Sequence, residues 1–85
     1  MLALAAEALA LSTSGRVARR VLALAGRAPA LVIMQEQLGA LVGATRNAVI
    51  RALRDLEEDG LLRRGYGRIE ILDRAGLEAV GAPAA

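Results

Sequence analysis

The chain contains no cysteine, no histidine and no lysine, and Tyr66 is its only aromatic residue. Without cysteine it has neither disulfides nor thiolate chemistry. Without histidine it lacks the commonest general base and metal ligand. The serines and threonines therefore have no activating base, and no pair of carboxylates stands at a plausible catalytic spacing. We expect neither an enzyme nor a bound metal or cofactor.

The 85 residues suffice for one small domain, and a hydrophobic content of 55% argues against a disordered chain. All eleven basic residues are arginines, but nine acidic residues reduce the formal net charge to +2. Total charge is therefore weak support for a polyanionic partner, and the distribution of charge has to decide. The opening MLALAAEALAL lacks a basic start, carries Glu7 and is too short to span a bilayer. We expect a cytoplasmic protein without a membrane partner.

Periodicity, capping residues and turn signals predict the elements of the chain. Residues 1–11 are predicted to be the remnant of a preceding helix, and residues 81–85 a disordered tail. Between them the predicted elements are a helix at 12–26, a short buried strand at 31–33, helices at 35–42 and 45–59, a two-stranded ribbon at 61–64 and 68–72, and a last helix at 74–80. The fold class is therefore mainly α with a small antiparallel β wing. Residues 12–80 form a winged helix-turn-helix, a three-helix core plus a β-hairpin.

Three small or apolar residues fit a helix-turn-helix whose first position is Gln35. Gly39 is then fifth, where a small residue lets two helices cross closely. Gly43 is ninth, where the turn favours a positive φ. Val49 is fifteenth and is expected to be buried between the helices. Three constrained positions in one register make a fairly specific signal.

The helix after this turn has two chemically different faces at about 100° per residue. Its apolar face consists of Val49, Ala52, Leu53 and Leu56. The opposite face consists of Arg46, Asn47, Ile50, Arg51 and Arg54. This second face has two interpretations, the ordinary solvated face of an amphipathic helix or a surface that binds DNA. Bidentate donors at the N-terminal end of the helix favour DNA, because a recognition helix inserts that end into the major groove.

The residue types on this face match the edges of DNA bases. Arginine pairs with O6 and N7 of guanine, and asparagine with N6 and N7 of adenine. Arg46, Asn47 and Arg51 are therefore predicted to contact bases. Thr45 at the helix start and Arg54 farther along are predicted to contact the DNA backbone.

The ribbon carries three further residues that we predict on the DNA backbone: Arg64, Tyr66 and Arg68. Together with Arg63, these arginines flank the Gly-Tyr-Gly turn and make its tip basic. For Tyr66, an exposed turn residue without a role is an equally good interpretation. The arginines of the first helix, Arg16, Arg19 and Arg20, favour a solvated or structural role.

Taken together, LSTSGRVARRVLALA and QEQLGALVGATRNAVIRALRDLEEDGLLRRGYGRIEILDRAGLEA resemble the C-terminal DNA-binding domain of the Crp/Fnr (cyclic-AMP receptor protein-like) transcription regulators. The resemblance covers residues 9–80. It implies a bacterial regulator that binds a palindromic operator in double-stranded DNA as a dimer. In that family the arginines matching Arg46 and Arg51 contact bases, and the residue matching Thr45 contacts the backbone. Many members have glutamate in place of Asn47, which leaves the target sequence open.

The resemblance also has implications for partners and for the rest of the protein. Residues 1–11 match the end of a long dimerisation helix, so a homodimer through this segment is an expectation. In some relatives the region matching Gly26–Ala30 contacts RNA polymerase, which makes the polymerase a candidate partner. Full-length relatives also carry a ligand-sensing domain. The chain is therefore either a domain excised from a larger regulator or a naturally short relative.

A second function class is a winged-helix docking module that binds protein and not DNA. The weak net charge and the apolar N-terminal segment are compatible with that class. The combination of Arg46, Asn47 and Arg51 on one face favours DNA, since a docking domain has no reason to assemble it.

Overall fold

The computed structural model describes residues 12–82, which form four helices and three strands. In chain order these are α1 (Thr13–Ala25), β1 (Ala30–Val32), α2 (Gln35–Val42), α3 (Arg46–Glu58), β2 (Leu62–Gly65), β3 (Arg68–Ile71) and α4 (Arg74–Gly81). The predicted winged helix-turn-helix is confirmed. Two predicted segments, the helix at 1–11 and the tail from 83 onward, lie outside the described residues. No helix within 12–82 is long and apolar enough to cross a membrane.

Helix starts follow the capping residues of the sequence. The side chains of Ser12, Thr45 and Asp73 each accept a hydrogen bond from the backbone N–H three residues later, at 2.9 to 3.2 Å. Helix α2 begins after Met34, whose side chain offers no such hydrogen bond. There the Met34 N–H donates to Oε1 of Gln37 at 2.9 Å, so this backbone N–H at the helix start still has a hydrogen-bond partner.

The hydrophobic core draws on all four helices and on β2 and β3. Its buried members are Val17, Ala18, Val21, Leu38, Val49, Ala52, Leu53, Leu56, Leu61, Leu62, Ile69 and Leu77. Helix α3 contributes four of them, at the spacing i, i+3, i+4 and i+7, so its opposite face has to point outward.

The sheet has three antiparallel strands in the order β1-β3-β2. Strand β1 adds to the hairpin by pairing Leu31 with Ile69, and β2 pairs Arg64 with Ile69 from the other side. The predicted two-stranded ribbon is therefore confirmed as β2 and β3, and the separately predicted strand near residues 31–33 joins it as a third strand, a pairing that the sequence analysis did not predict. The prediction that residues 31–33 are buried was wrong, because β1 is an edge strand: Leu31 and Ile33 are half-buried against the core, and Val32 is 84% exposed.

Helix α2 packs against the turn that precedes α3 at a contact too close for a side chain. A Cβ atom on Gly39 would lie 2.9 Å from the carbonyl oxygen of Ala44. The Ala44 N–H in turn donates to the Gly39 carbonyl at 2.9 Å. Gly43 between them has a φ of 69°, in the left-handed region that glycine adopts at little cost. The expected roles of both glycines are confirmed.

The last helix is longer than predicted, because Gly81 belongs to α4 and not to the tail. Gly81 is buried, and a Cβ atom there would meet the Arg19 side chain of α1. The absence of a side chain at this position lets the end of α4 lie against α1.

The contact at Gly39 can be tested with Gly39→Ala. We expect this change to lower the free energy of unfolding by at least about 1 kcal/mol, because overpacking against Ala44 outweighs the helix propensity gained by alanine. Gly65→Ala is the matched control, since its new Cβ would be 3.6 Å from the nearest atom. Urea unfolding of the two variants measures the difference. Equal stability of both variants would contradict the close crossing.

Candidate nucleic-acid interface

One face of α3 is exposed and rich in arginine. The apolar positions Val49 and Leu53 have no exposed surface, as predicted. On the other side Arg46, Asn47, Arg51 and Arg54 are exposed, and Ile50 is half-buried. We call these five residues the recognition face. The structure thus brings the three predicted base-contacting residues and Arg54 onto one continuous surface.

The start of α3 is fixed by its cap and presents free backbone donors. Thr45 has extended backbone angles, and its Oγ1 accepts the Ala48 N–H at 3.2 Å. No acidic side chain occupies the first turn of α3. The positive end of the helix dipole therefore adds to the charge of Arg46, and both favour an anion at this end.

The arginines of the recognition face have no acidic partners within residues 12–82. Asp55 and Glu58 stand four residues after Arg51 and Arg54, a spacing at which helical ion pairs form. Nevertheless, neither Arg51 and Asp55 nor Arg54 and Glu58 bring a guanidinium nitrogen within 4.0 Å of a carboxylate oxygen. Their guanidinium donors are therefore available to an external ligand.

The wing, which we define as β2, β3 and the turn between them, presents its tip to solvent. Tyr66 is 98% exposed at the turn, next to Gly67 with a φ of 64°. Arg68 is exposed and has no ion-pair partner among the described residues. Arg63, by contrast, lies 3.5 Å from Glu70 on the neighbouring strand. The tip is less basic than the sequence suggests, because part of its charge is neutralised.

Arg64 is the candidate whose surroundings the sequence does not reveal. Its Nε donates to Oε1 of Glu57 at 2.9 Å, and its backbone N–H donates to Oε2 at 3.0 Å. Nη1 and Nη2 have no hydrogen-bond partner in the described part of the chain, so a contact of Arg64 with the DNA backbone stays a prediction. No local spacing rule connects Glu57 and Arg64, since a turn at Gly60 separates the helix from the strand.

A groove of about 250 Å³ joins the recognition face to the wing. Its lining includes Arg46 at the start of α3 together with Arg64, Tyr66 and Arg68 of the wing. Glu36, in the first turn of α2, is the acidic residue of the lining. One residue predicted to contact bases, Arg46, therefore borders the same concave surface as the three wing residues predicted to contact the DNA backbone.

The arginines of α1 lie around a separate groove of about 390 Å³, which Leu41 and Val42 also line. Nη2 of Arg20 donates to the Leu41 carbonyl at 3.3 Å, at the C-terminal end of α2. A cation at that end is favourable, because the last carbonyls of a helix carry partial negative charge. This contact agrees with the structural role expected for Arg20.

Two crossing helices with an exposed second helix, followed by a β wing, define a winged helix-turn-helix domain. The comparison with known families specifies it further. Residues 15–80 match the Crp-like helix-turn-helix domain. The chain belongs to this family.

Named relatives come from the bacterium Thermus thermophilus. The chain is 40% identical to its transcriptional regulator SdrP over 43 residues, 51% of the chain and 21% of the regulator. It is 39% identical to its cyclic AMP receptor protein over 55 residues, 65% of the chain and 26% of the relative. The solved catabolite activator protein of the same organism superimposes with a TM-score of 0.76 at 34% identity, covering 94% of this chain and 39% of the other. The chain thus spans well under half the length of these regulators.

The pairing with Arg64 gives Glu57 a predictable pH dependence. The hydrogen bond from the Arg64 backbone lowers the pKa of Glu57 from its usual value of 4.5, and the hydrogen bond from the Arg64 side chain lowers it further. A carboxylate with a lowered pKa in the folded state stabilises the fold above its unfolded pKa. That contribution is lost as the pH falls through the folded-state pKa.

We therefore expect Glu57→Gln to be less stable than the unmodified chain at neutral pH, with a gap that closes as the pH falls below about 4. Urea unfolding over a series of pH values measures the gap. Glu58→Gln is the control, because Glu58 is exposed and has no ion pair within residues 12–82. A gap for Glu57→Gln that does not change with pH would contradict the role of the charge.

Proposed function

We propose that this domain binds double-stranded DNA sequence-specifically, as the effector domain of a bacterial transcription regulator. The observation that carries the proposal is the recognition face, on which Arg46, Arg51 and Arg54 are exposed and unpaired within the described residues. A chain that needed these arginines only for solubility would lose nothing by pairing them with Asp55 or Glu58. Family membership and the relatives named as regulators give independent support.

In this proposal α3 enters the major groove with its N-terminal half. Arg46 and Arg51 read guanine through O6 and N7, and Asn47 between them reads adenine through N6 and N7. The half-buried Ile50 lies beside them, where a thymine methyl group would meet an apolar surface.

Contacts with the DNA backbone hold α3 in register. Thr45 and the free N–H groups at the start of α3 take one phosphate. Arg54 takes another farther along the helix. Tyr66 and Arg68 at the tip of the wing reach the backbone on the other side of the shared groove, with Arg64 behind them.

The assembly follows from the geometry of helix-turn-helix proteins. Two domains related by a two-fold axis read a palindromic operator whose half-sites face the same side of the duplex. We propose that residues 1–11 contribute to that dimer, and that a single domain binds a half-site only weakly. The Gly26–Ala30 connector is a candidate surface for RNA polymerase.

The proposal predicts two kinds of arginine variant. Arg51→Ala should cost about 1–3 kcal/mol of affinity and relax discrimination at one base pair. Arg68→Ala should weaken binding to all sequences and reduce the slope of log K against log salt by about one. Arg27→Ala is the control for loss of one positive charge, because Arg27 lies in the connector after α1.

The measurement is a titration of duplexes, first selected from random sequence with the unmodified chain, at several salt concentrations. If Arg51→Ala and Arg68→Ala behave alike, the division into base and backbone contacts is wrong. If the unmodified chain shows no salt-dependent affinity for any duplex, the protein-docking alternative replaces DNA binding.

A further inference from the structure

The carboxylate of Glu57 is held by two donors of a single residue. Oε2 accepts the backbone N–H of Arg64 at 3.0 Å, and Oε1 accepts its Nε at 2.9 Å. Both side chains are largely withdrawn from solvent, with 32% of Glu57 and 28% of Arg64 exposed. Charge-assisted hydrogen bonds with this degree of shielding are stronger and more directional than surface ion pairs.

The location of this pair connects two functional elements. Glu57 is the second-last residue of α3, and Arg64 is the second-last residue of β2, directly before the wing tip. The base of the wing is attached separately, through the hydrogen bond from the Leu61 N–H to the Leu56 carbonyl at 3.0 Å. The Glu57–Arg64 pair therefore attaches the outer half of the wing to the recognition helix.

The tip is also restrained from the opposite side. The Ile33 N–H, just after β1, donates to the carbonyl of Gly67 at 3.0 Å. That bond fixes the tip relative to the edge strand but not relative to α3. Apart from the apolar contacts of Leu62 and Ile69 in the core, the Glu57 carboxylate provides the only side-chain hydrogen bonds or ion pair from α3 to the wing within residues 12–82.

We propose that Glu57 and Arg64 are positioning residues that fix the wing tip relative to the recognition face. The inference rests on the proposed DNA binding. Arg64 then contributes to DNA recognition mainly by holding the Glu57 carboxylate. Arg68 is the wing arginine that contacts phosphate. The pair ensures that Arg51 and Arg68 reach a single duplex at the same time, without ordering the wing at the moment of binding.

The wing contains a matched control for this pair. Arg63 and Glu70 also form an ion pair, at 3.5 Å, but their side chains are 67% and 38% exposed. Both residues belong to the wing, so their attraction cannot orient the wing relative to α3. Glu57→Gln and Glu70→Gln are thus the same chemical change. The first removes a charge that links the wing to the recognition helix, and the second removes a charge that is paired within the wing.

The first experiment needs no DNA. Residual dipolar couplings and amide exchange are measured on the 85-residue chain, unmodified and with each glutamine substitution. For Glu57→Gln we expect wing amide vectors to reorient relative to α3, with exchange of the Arg64 amide about tenfold faster. Glu70→Gln should leave both unchanged. An unaltered wing orientation in Glu57→Gln overturns the proposal, whatever the result with DNA. Should Glu57→Gln fail to fold, Arg64→Lys keeps the backbone hydrogen bond and serves the same comparison.

The second experiment is a double-mutant cycle for affinity to a selected duplex. Glu57→Gln should weaken binding about three- to tenfold, and Arg68→Ala should then cost less than it does in the unmodified chain. Arg64→Ala should add little to Glu57→Gln. Fully multiplicative losses for both combinations would make Arg64 an independent phosphate contact and would overturn its positioning role. If the unmodified chain binds no duplex, the proposed function fails, and the dipolar couplings alone decide whether the pair fixes the wing.

Discussion

The close packing of α2 against the start of α3 at Gly39 determines where the side chains of the recognition face point. The Ala44 carbonyl oxygen lies only 2.9 Å from the position that a Cβ of Gly39 would take, and the left-handed Gly43 turns the chain between the two helices. Because Val49 and Leu53 are buried in the core, the opposite face of α3 lies on the surface of the described part of the chain. The orientation of the recognition face is thus a consequence of the close packing at Gly39. A looser crossing would rotate its arginines away from a groove only about 12 Å wide.

In this small domain the positions of the charged residues matter more than the net charge. The net charge of +2 conceals a set of arginines on α3 that form no ion pair within residues 12–82 and a wing whose arginines are partly neutralised. Glu57 and Glu70 each face an arginine of the wing, so acidic residues organise the basic surface and do not merely dilute it. On α3 and the wing, the arginines without an ion pair within residues 12–82 are those of the recognition face and Arg68, which suits a protein that must distinguish one duplex sequence from another.

Local rules predicted much of this fold, because three of the four described helices begin at capping residues and several turns contain glycine. Ser12, Thr45 and Asp73 cap the helices as expected, and α2 follows its predicted bounds. The rules failed where contacts are not local. The pairing of β1 with β3 joins residues far apart in the chain, and Val32 is exposed because it lies on an edge. The Glu57–Arg64 hydrogen bonds span the turn at Gly60. Because the sequence does not predict the direction in which this turn sends the chain, only the folded structure reveals the pair.

The most direct test of the account is the location of the duplex on the protein. Intermolecular nuclear Overhauser effects between the labelled chain and a selected duplex report that location. The account predicts that side-chain protons of Asn47, Ile50 and Arg51 approach major-groove base protons, while wing protons approach the sugars. Effects that come instead from α4 or from the edge strand β1, with the recognition face unperturbed, would contradict it.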